Sequence, residues 1–312
     1  MQQKADRIIS EVKKAVVGKD EIIRKVLMVI LAQGHILLED IPGVGKTTLA
    51  LAFSKAVSLD YKRMQFTPDV MPSDVTGFSI YNKATDSLEY KPGAALCNLF
   101  LADEINRTSS KTQSALLEVM EEGKITVDGV THRTPKPYVV IATQNPVGSA
   151  GTQLLPESQL DRFMVRLTMG YPDLRDEVEI LKRKQGIDPL ELVQRSANAD
   201  DLIAMQRETD SVYLSDAVYD YIARLVSATR DNTMIRLGAS PRASIALVKM
   251  AQAAAYLSGR DYVVPKDVQS VFIDVVEHRI ILSPQAKISN TNPNLLLMTI
   301  LKHVAAPAVS QR

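Results

Sequence analysis

A phosphate-binding loop pattern constrains the fold of this chain more than any other stretch. The loop runs from Asp40 to Thr48, after the apolar residues 36–38 and before the helix-forming residues 49–57. Such a loop works only where a strand gives way to a helix, because its backbone amides and the helix N-terminus bind phosphate together. The pattern therefore predicts an α/β domain in which the loop joins a buried strand to a helix.

Lys46 and Thr47 are expected to carry the chemistry of this loop. The lysine is expected to reach the β- and γ-phosphates of a nucleotide, and the threonine hydroxyl to ligate Mg²⁺. The strict pattern has glycine at residue 40, where this sequence has Asp40. A glycine-rich turn that binds nothing is the alternative. The residues expected to bind the nucleotide here are Pro42, Gly43, Val44, Gly45, Lys46, Thr47 and Thr48.

Composition is typical of a globular protein with room for two domains. The 312 residues are 46% hydrophobic and 23% charged. The 37 basic and 36 acidic residues give a net charge of +1, so a bulk electrostatic drive toward nucleic acid or anionic membrane is absent. The single cysteine, Cys97, excludes an intrachain disulfide and favours a reducing compartment. Without a signal-peptide pattern or an apolar run long enough to span a bilayer, the sequence predicts a cytoplasmic protein without membrane insertion.

A second informative stretch, residues 98–104, is an apolar run that ends in Asp103 and Glu104. In a parallel sheet, a buried strand of this kind brings its carboxyl end to the ligand crevice. We expect Asp103 to hold Mg²⁺ through its water shell and Glu104 to take a proton from the attacking water. Alone, the pattern also fits a plain strand that leaves the core. The phosphate loop upstream favours the catalytic interpretation.

Two further polar residues lie next to β-like runs. Residues 138–143 predict another buried strand, which delivers Asn145 to the same edge, where its amide is suited to orienting a water or contacting the γ-phosphate. The alternative is an asparagine that starts a turn before Pro146. Arg162 precedes the run 164–167, and its rigid, always charged guanidinium suits phosphate chemistry. An ordinary surface ion pair is the alternative for this arginine.

The N-terminal region predicts two amphipathic helices separated by Val17 and Gly18. This break can wrap an adenine base, or it can simply turn the chain between two helices. Two hairpins are predicted around residues 78–90 and 124–132, the second at the turn dipeptide Asp128-Gly129. His132, next to that turn, is expected to be solvated rather than a ligand.

From residue 171 onward the pattern is helical. Six helices are predicted, over residues 174–184, 200–208, 215–230, 241–257, 265–276 and 294–304. We therefore predict two domains, residues 1–170 with alternating α and β elements and residues 171–312 with helices. In the second domain, Ser240 can cap the helix that starts at Pro241. Arg242 lies in the first turn, where a cation opposes the helix dipole, which suggests an external anionic partner.

Five motifs in order resemble those of the AAA+ ATPases and, within them, of the MoxR family. They are Leu38 to Thr47, Phe100 to Arg107, Ile141 to Pro146, Leu155 to Phe163 and Gly238 to Ala243. The resemblance implies an α/β fold: an AAA+ P-loop three-layer α/β/α nucleotide-binding domain with two β-hairpin insertions, followed by an all-helical lid domain. It also implies ATP and ADP as ligands, Mg²⁺ as cofactor, and a homo-oligomeric ring, commonly a hexamer.

The same resemblance assigns roles to individual residues. The implied roles are Walker A for Lys46 and Thr47, Walker B for Asp103 and Glu104, first sensor for Asn145, arginine finger for Arg162, and second sensor for Arg242. The arginine finger acts on ATP bound by a neighbouring subunit. The expected catalytic set is therefore Lys46, Glu104, Asn145 and Arg162.

For the biological role, the resemblance implies chaperone-like remodelling or activation of protein complexes, with a von Willebrand factor A-domain protein as partner. The hairpins are similar to two insertions that face the ring's pore or partner surface in this branch, with Phe78 and Tyr81 as candidate contacts.

Three alternatives stay open. The first is a nucleic-acid-remodelling motor, which the net charge of +1 and the lack of a basic stripe disfavour, although a pore needs only a few lysines. The second is a small-molecule P-loop kinase, which has no obvious use for an arginine finger or a large lid. The third is a nucleotide-gated scaffold without turnover, which the intact Asp103-Glu104 pair disfavours.

Overall fold

The computed structural model describes residues 2–41, 43–145, 155–183 and 186–308. The elements of the N-terminal part are α1 (Gln2–Ala15), α2 (Asp20–Leu31), β1 (Ile36–Glu39), α3 (Lys46–Ala56), β2 (Tyr61–Gln65), α4 (Pro72–Thr76), β3 (Gly77–Asn82), β4 (Ser87–Pro92), β5 (Leu99–Asp103), α5 (Ser110–Glu122), β6 (Lys124–Val127), β7 (Val130–Arg133), β8 (Val139–Gln144), α6 (Glu157–Leu160) and β9 (Val165–Leu167). The elements of the C-terminal part are α7 (Leu174–Arg183), α8 (Ala199–Asp210), α9 (Asp216–Arg230), β10 (Ile235–Leu237), α10 (Pro241–Leu257), α11 (Pro265–Val276), β11 (Ile281–Leu282), α12 (Pro284–Ile288) and α13 (Pro293–His303). Short 3-10 helices cover Ile105–Arg107, Pro189–Leu192 and Glu277–Arg279.

A five-stranded parallel sheet in the order β2-β5-β8-β1-β9 forms the centre of the N-terminal part. Both of its faces are covered, because Ile36 and Leu38 of β1 pack into one core cluster with α1, α2 and α3. Leu37 points the other way and packs into a second cluster with Leu116 of α5. Strands buried on both faces need continuous apolar sequence, and β1, β5 and β8 have it. The predicted three-layer α/β/α fold is confirmed.

The two predicted hairpins are present outside this sheet. β3 pairs with β4 and β6 pairs with β7, both antiparallel. In the second hairpin, Asp128 and Gly129 have φ angles of 48° and 78°, as a two-residue turn of the primed type requires. The hairpins contact each other where the rings of Tyr90 and His132 stack at 3.8 Å. His132 therefore lies against an aromatic ring rather than fully in solvent.

The C-terminal part is helical, as predicted, with one addition. α10 and α11 begin and end at the predicted residues, and the Ser240 hydroxyl accepts a hydrogen bond from the Arg242 backbone N–H at 3.2 Å. A short antiparallel ladder of β10 and β11 also lies in this part. One core cluster includes residues from both parts, such as Leu27 and Phe272. The domain boundary at residue 170 stays a prediction.

No helix among the described residues is both long enough and apolar enough to cross a membrane.

His35 is a buried histidine at the amino end of β1. The Val140 backbone N–H donates to its Nδ1 at 3.0 Å, so the neutral ring carries its proton on Nε2, which donates to the Met120 carbonyl at 2.9 Å. Burial lowers the pKa of His35 to about 4, and the hydrogen bond to Met120 opposes this shift only in part. Burial also lowers the pKa of His278 well below its ordinary value, with Arg279 adding to the effect.

This arrangement predicts a loss of stability in mild acid. The unfolded imidazole binds a proton below about pH 6.5 and the native one does not, so the contribution of His35 is complete above that pH and is lost as pH falls toward 4. Lowering pH from about 7.5 to about 5 should reduce the free energy of unfolding by about 2 kcal/mol from His35, with His278 adding to the loss. Urea denaturation at both values measures the difference.

The matched control for this effect is the exposed histidine of α13. His35→Gln should shrink the pH difference, and His303→Gln, at an exposed position, is the reference for the loss of a histidine elsewhere. Equal stability of the unmodified protein at the two pH values would contradict the assignment of His35 as a buried neutral group.

Candidate active site

The phosphate loop lies at the carboxyl edge of the sheet, directly after β1. Gly43 and Gly45 have φ angles of 88° and 95°, in the left-handed region that favours glycine. Gly45 precedes α3 without any side-chain cap, so the first N–H groups of that helix have no cap partner. Free amides at a helix N-terminus are suited to phosphate. Val44, Thr47 and Thr48 are partly buried around this point, and Pro42 lies outside the described residues.

Lys46 is buried with its charged end inside the loop. Its Nζ donates to the carbonyl oxygens of Asp40 at 2.8 Å and Ile41 at 3.3 Å. Burial lowers the pKa of Lys46, and the nearby carboxylates of Asp40, Asp103 and Glu104 oppose that shift. The structure therefore brings the phosphate loop and the two acidic residues at the end of β5 to one place.

Asp103 ends β5 as a buried carboxylate with two partners. Its Oδ1 accepts a hydrogen bond from the Thr143 hydroxyl at 2.6 Å, and its Oδ2 lies 2.8 Å from the Arg63 guanidinium. The Thr143 oxygen also accepts the backbone N–H of Glu104 at 2.8 Å. Thr143 on β8 thus orients both acidic residues.

Glu104 has a strained backbone and a fully bonded side chain. Its φ of 57° lies in the left-handed region, which costs a non-glycine residue about 1–2 kcal/mol. Its Oε1 accepts a hydrogen bond from the Asn145 amide at 3.0 Å and its Oε2 one from Arg107 at 2.8 Å. Burial raises the pKa of Glu104, but these two hydrogen bonds outweigh it, so the net pKa is lowered. The carboxylate is therefore ionised at neutral pH and aimed by its neighbours.

Asn145 lies beside Glu104, as the strand-end pattern predicted. Its backbone N–H donates to Asn106 Oδ1 at 3.4 Å, and its carbonyl accepts from Asn106 Nδ2 at 3.3 Å. The Oδ1 atom of Asn145 is buried and has no hydrogen-bond partner within the described residues. A buried amide oxygen without a partner is suited to accepting a hydrogen bond from a water or ligand.

The oxygen groups at this edge fit Mg²⁺. Magnesium binds through one or two carboxylates together with substrate phosphates and waters. Asp103 supplies a buried carboxylate, and the Thr47 hydroxyl lies on the first turn of α3. Asp103 and Thr47 are the residues that would hold the ion.

Val17 and Gly18 lie between α1 and α2, next to the start of α7. A Cβ on Gly18 would lie 1.7 Å from the Asp176 carboxylate, so α7 closes over this loop. Lys19 adds a hydrogen bond to the Tyr171 carbonyl at 2.9 Å. The loop therefore borders the start of the C-terminal part, and its contact with a base stays a prediction.

Arg162 and Arg242 lie together at the opposite edge of the sheet. Arg162 comes just before β9, and its Nη1 donates to the Leu117 carbonyl at 3.0 Å. Glu121 of α5 binds both arginines, Arg162 at 2.8 Å and Arg242 at 2.5 Å. They line a cavity of ≈ 230 Å³ with His35, which precedes β1. The phosphate loop follows β1, so the strand separates the two groups by about 13 Å.

Asp161, the residue before Arg162, forms hydrogen bonds with two residues of the C-terminal part. Its carboxylate accepts hydrogen bonds from the buried Arg279 at 2.8 Å and from the Ser240 hydroxyl at 2.9 Å. Ser240 is the N-cap of α10, two residues before Arg242. A buried arginine bonded in this way fixes the position of Asp161, next to Arg162, relative to the C-terminal helices.

Five residues that bond the acidic group at the carboxyl edge or the arginines at the amino edge were not predicted from the sequence. They are Arg63, Asn106, Arg107, Glu121 and Thr143. Only Arg107 carried a readable signal, because it follows Glu104 by three residues. The others act across strands or helices whose neighbours the sequence does not reveal.

Comparison with known families agrees with this geometry. Residues 35–165 match the ATPase family associated with various cellular activities (AAA), and residues 227–296 match the AAA lid domain. The fold and the site together define an AAA+ ATPase with a lid.

Individual relatives show which family of AAA+ ATPases the chain resembles. Chaperone MoxR1 of Mycobacterium tuberculosis is 38% identical over 98% of this chain and 83% of its own length. The uncharacterized protein YeaC of Bacillus subtilis is 47% identical over 96% of this chain and 94% of its own. A crystal structure from Cytophaga hutchinsonii, assigned as an ATPase, has a TM-score of 0.91 at 38% identity and covers 98% of this chain and 96% of that one. The chain belongs to the MoxR family of AAA+ ATPases.

Proposed function

We propose that this protein hydrolyses ATP with Mg²⁺ and uses the resulting motion to remodel or activate protein complexes. The observation that carries the proposal is the division of the site. Lys46, Asp103 and Glu104 gather at the carboxyl edge of the sheet, and Arg162 and Arg242 gather at the amino edge. One chain supplies the nucleotide-binding half and the next supplies the arginines.

The residues of the first half suit hydrolysis of a phosphoanhydride. Lys46 neutralises charge on the β- and γ-phosphates, and the amides of α3 hold their oxygens. Glu104, ionised and aimed by Asn145 and Arg107, polarises the attacking water and takes its proton. Asn145 helps to place that water through its free Oδ1. Mg²⁺, when bound, neutralises the developing phosphate charge.

A site that is shared between two copies of the chain is best explained by a ring-shaped assembly. A head-to-tail interface closes into a ring when its rotation permits, and every site is then completed by a neighbour. We propose a hexamer. Leu174 and Leu181 of α7 are apolar and 79% and 61% exposed, so a neighbouring copy can cover this helix.

A protein client is the proposed target of this motion. MoxR1, the relative at 38% identity, is called a chaperone. The β3–β4 hairpin exposes Phe78, Tyr81 and Leu88, which are suited to contact a protein surface. We propose a partner with a von Willebrand factor A domain, and remodelling of its complexes rather than of nucleic acid.

The test is ATPase activity as a function of chain concentration. Because each site needs arginines from a second copy, specific activity should rise by about tenfold or more across the concentration range of assembly, and EDTA should abolish it. Phosphate release and analytical ultracentrifugation on the same samples measure turnover and assembly. Constant specific activity from monomer to assembly would contradict the shared site. Strong stimulation by DNA or RNA at physiological salt would favour the nucleic-acid motor instead.

A further inference from the structure

Asp40 stands where the phosphate-loop pattern has glycine, and one oxygen of its carboxylate accepts two hydrogen bonds. Its Oδ2 accepts the backbone N–H groups of Met169 and Gly170, the second at 3.0 Å. The residue is only 5% exposed. Hydrogen bonds from backbone N–H groups to a carboxylate are among the stronger ones in proteins, because the acceptor is charged. Asp40, unlike a glycine, therefore tethers the phosphate loop to the backbone of Met169 and Gly170.

The tethered segment is where the chain leaves the sheet for the lid. β9 ends at Leu167 and α7 starts at Leu174. Gly170 between them has a φ of 65°, a left-handed conformation that favours glycine. Asp40 therefore holds the chain at the junction of the two parts.

The phosphate loop also lies close to this junction at a second point. A Cβ added to Gly45 would lie 3.9 Å from Met169 Cε, and Met169 is buried in the core. The Met169 side chain therefore lies beside Gly45, while Asp40 accepts a hydrogen bond from the Met169 backbone N–H.

Lys46 connects Asp40 to the phosphate side of the loop. Its Nζ donates to the Asp40 carbonyl at 2.8 Å and to the Ile41 carbonyl at 3.3 Å. An ammonium has three donors and two of them are used here, so one phosphate oxygen can take the third donor. A lysine that bonds oxygens of both the β- and γ-phosphates must therefore release one of these carbonyls. The backbone of Asp40 thus responds to phosphate, while its carboxylate holds Met169 and Gly170.

We propose that Asp40 is a positioning residue that transmits phosphate binding at Lys46 to the Met169–Gly170 junction, and so to the lid. The inference rests on the proposed ATP-binding function and deepens it. The lid carries Arg242 and is bonded to Asp161 beside Arg162, so the same movement reaches both arginines.

Amide hydrogen exchange in the unmodified protein tests the link directly. Adding the non-hydrolysable analogue AMP-PNP with Mg²⁺ should change the exchange rates of the Met169 and Gly170 amides by about fivefold or more. Unchanged rates at saturating analogue would overturn the inference. A protein that binds no nucleotide at all would instead refute the proposed function, and fluorescence titration of the same sample with a labelled ATP analogue separates the two results.

Two substitutions of Asp40 test whether its side-chain oxygen is required for this link. Asp40→Gly restores the standard glycine and removes the tether, so both amides should exchange about tenfold faster with no response to nucleotide, and kcat should fall about tenfold at unchanged KM. Asp40→Asn keeps an oxygen that can accept both N–H groups, and should stay within about threefold of the unmodified protein in each measurement.

Two results with the Asp40→Gly variant would overturn the inference. Wild-type exchange and kcat in Asp40→Gly would show that Asp40 is merely tolerated in the loop, which overturns the inference. Loss of nucleotide affinity with unchanged exchange at Met169 and Gly170 would place Asp40 in phosphate binding alone, which also overturns it. If thermal melts show that Asp40→Gly does not fold, the exchange measurement on the unmodified protein decides.

Discussion

Replacing Arg162 by alanine should lower kcat for ATP hydrolysis by about 10³- to 10⁵-fold, the range found for arginine fingers. The guanidinium is bound to Glu121 at the amino edge of the sheet, and β1 separates it from the phosphate loop of its own chain. We therefore propose that it acts on the transition-state charge of a nucleotide held by a neighbouring copy. Steady-state turnover at saturating ATP measures the effect. Nucleotide affinity should change by less than about threefold, because the finger acts in the transition state.

A matched control comes from another arginine near the same edge. Arg236 of β10 is 63% exposed at its side chain, and its nearest carboxylate, on Glu157, lies at 4.0 Å. Arg236→Ala should therefore keep activity within about twofold, because weakly paired surface charges contribute little. Full activity of Arg162→Ala in an assembled sample would remove Arg162 from the site.

Glu104→Gln should bind ATP normally and hydrolyse it about 10²- to 10⁴-fold more slowly, the usual contribution of a general base. The amide is nearly isosteric and can still bond Arg107, so the local structure should survive. It cannot take a proton from water. Phosphate release under single-turnover conditions, with nucleotide affinity measured separately, tests the prediction. Wild-type turnover at saturating ATP would exclude Glu104 as the base.

Mixing the Arg162→Ala and Glu104→Gln chains tests whether the arginine finger acts between copies. A Glu104→Gln chain still carries Arg162, and an Arg162→Ala chain still carries Glu104. If the finger acts between copies, mixed assemblies contain complete sites and recover a measurable fraction of activity. If it acted within one chain, the mixture would be as inactive as each variant alone. The Arg236→Ala chain, mixed with either variant, serves as the reference for dilution of active subunits.

Long periodic elements were predictable because their signals are local. α11 covers the predicted residues 265–276, with proline at its first position. α10 has the predicted serine cap and proline start. The short α4, α6 and α12, of five, four and five residues, were not predicted. Helices this short have little stability of their own and form through contacts that a local pattern does not contain.

Local sequence patterns specify which residues stand at the ends of strands and at the start of a helix. Lys46 and Thr47 at the start of α3, and Asp103 and Glu104 after an apolar strand, follow from residue order alone, because the motif and its flanking elements are contiguous. By contrast, the meeting of Arg162 and Arg242 at Glu121 on the far edge follows from the folded arrangement of the chain and from no local pattern.

The hydrogen bond that the Met169 N–H donates to Asp40 and the ion pair of Arg63 with Asp103 likewise depend on the folded chain. These contacts depend on strand order and on how the lid packs. They join residues that are distant in the chain, so no local periodicity encodes them.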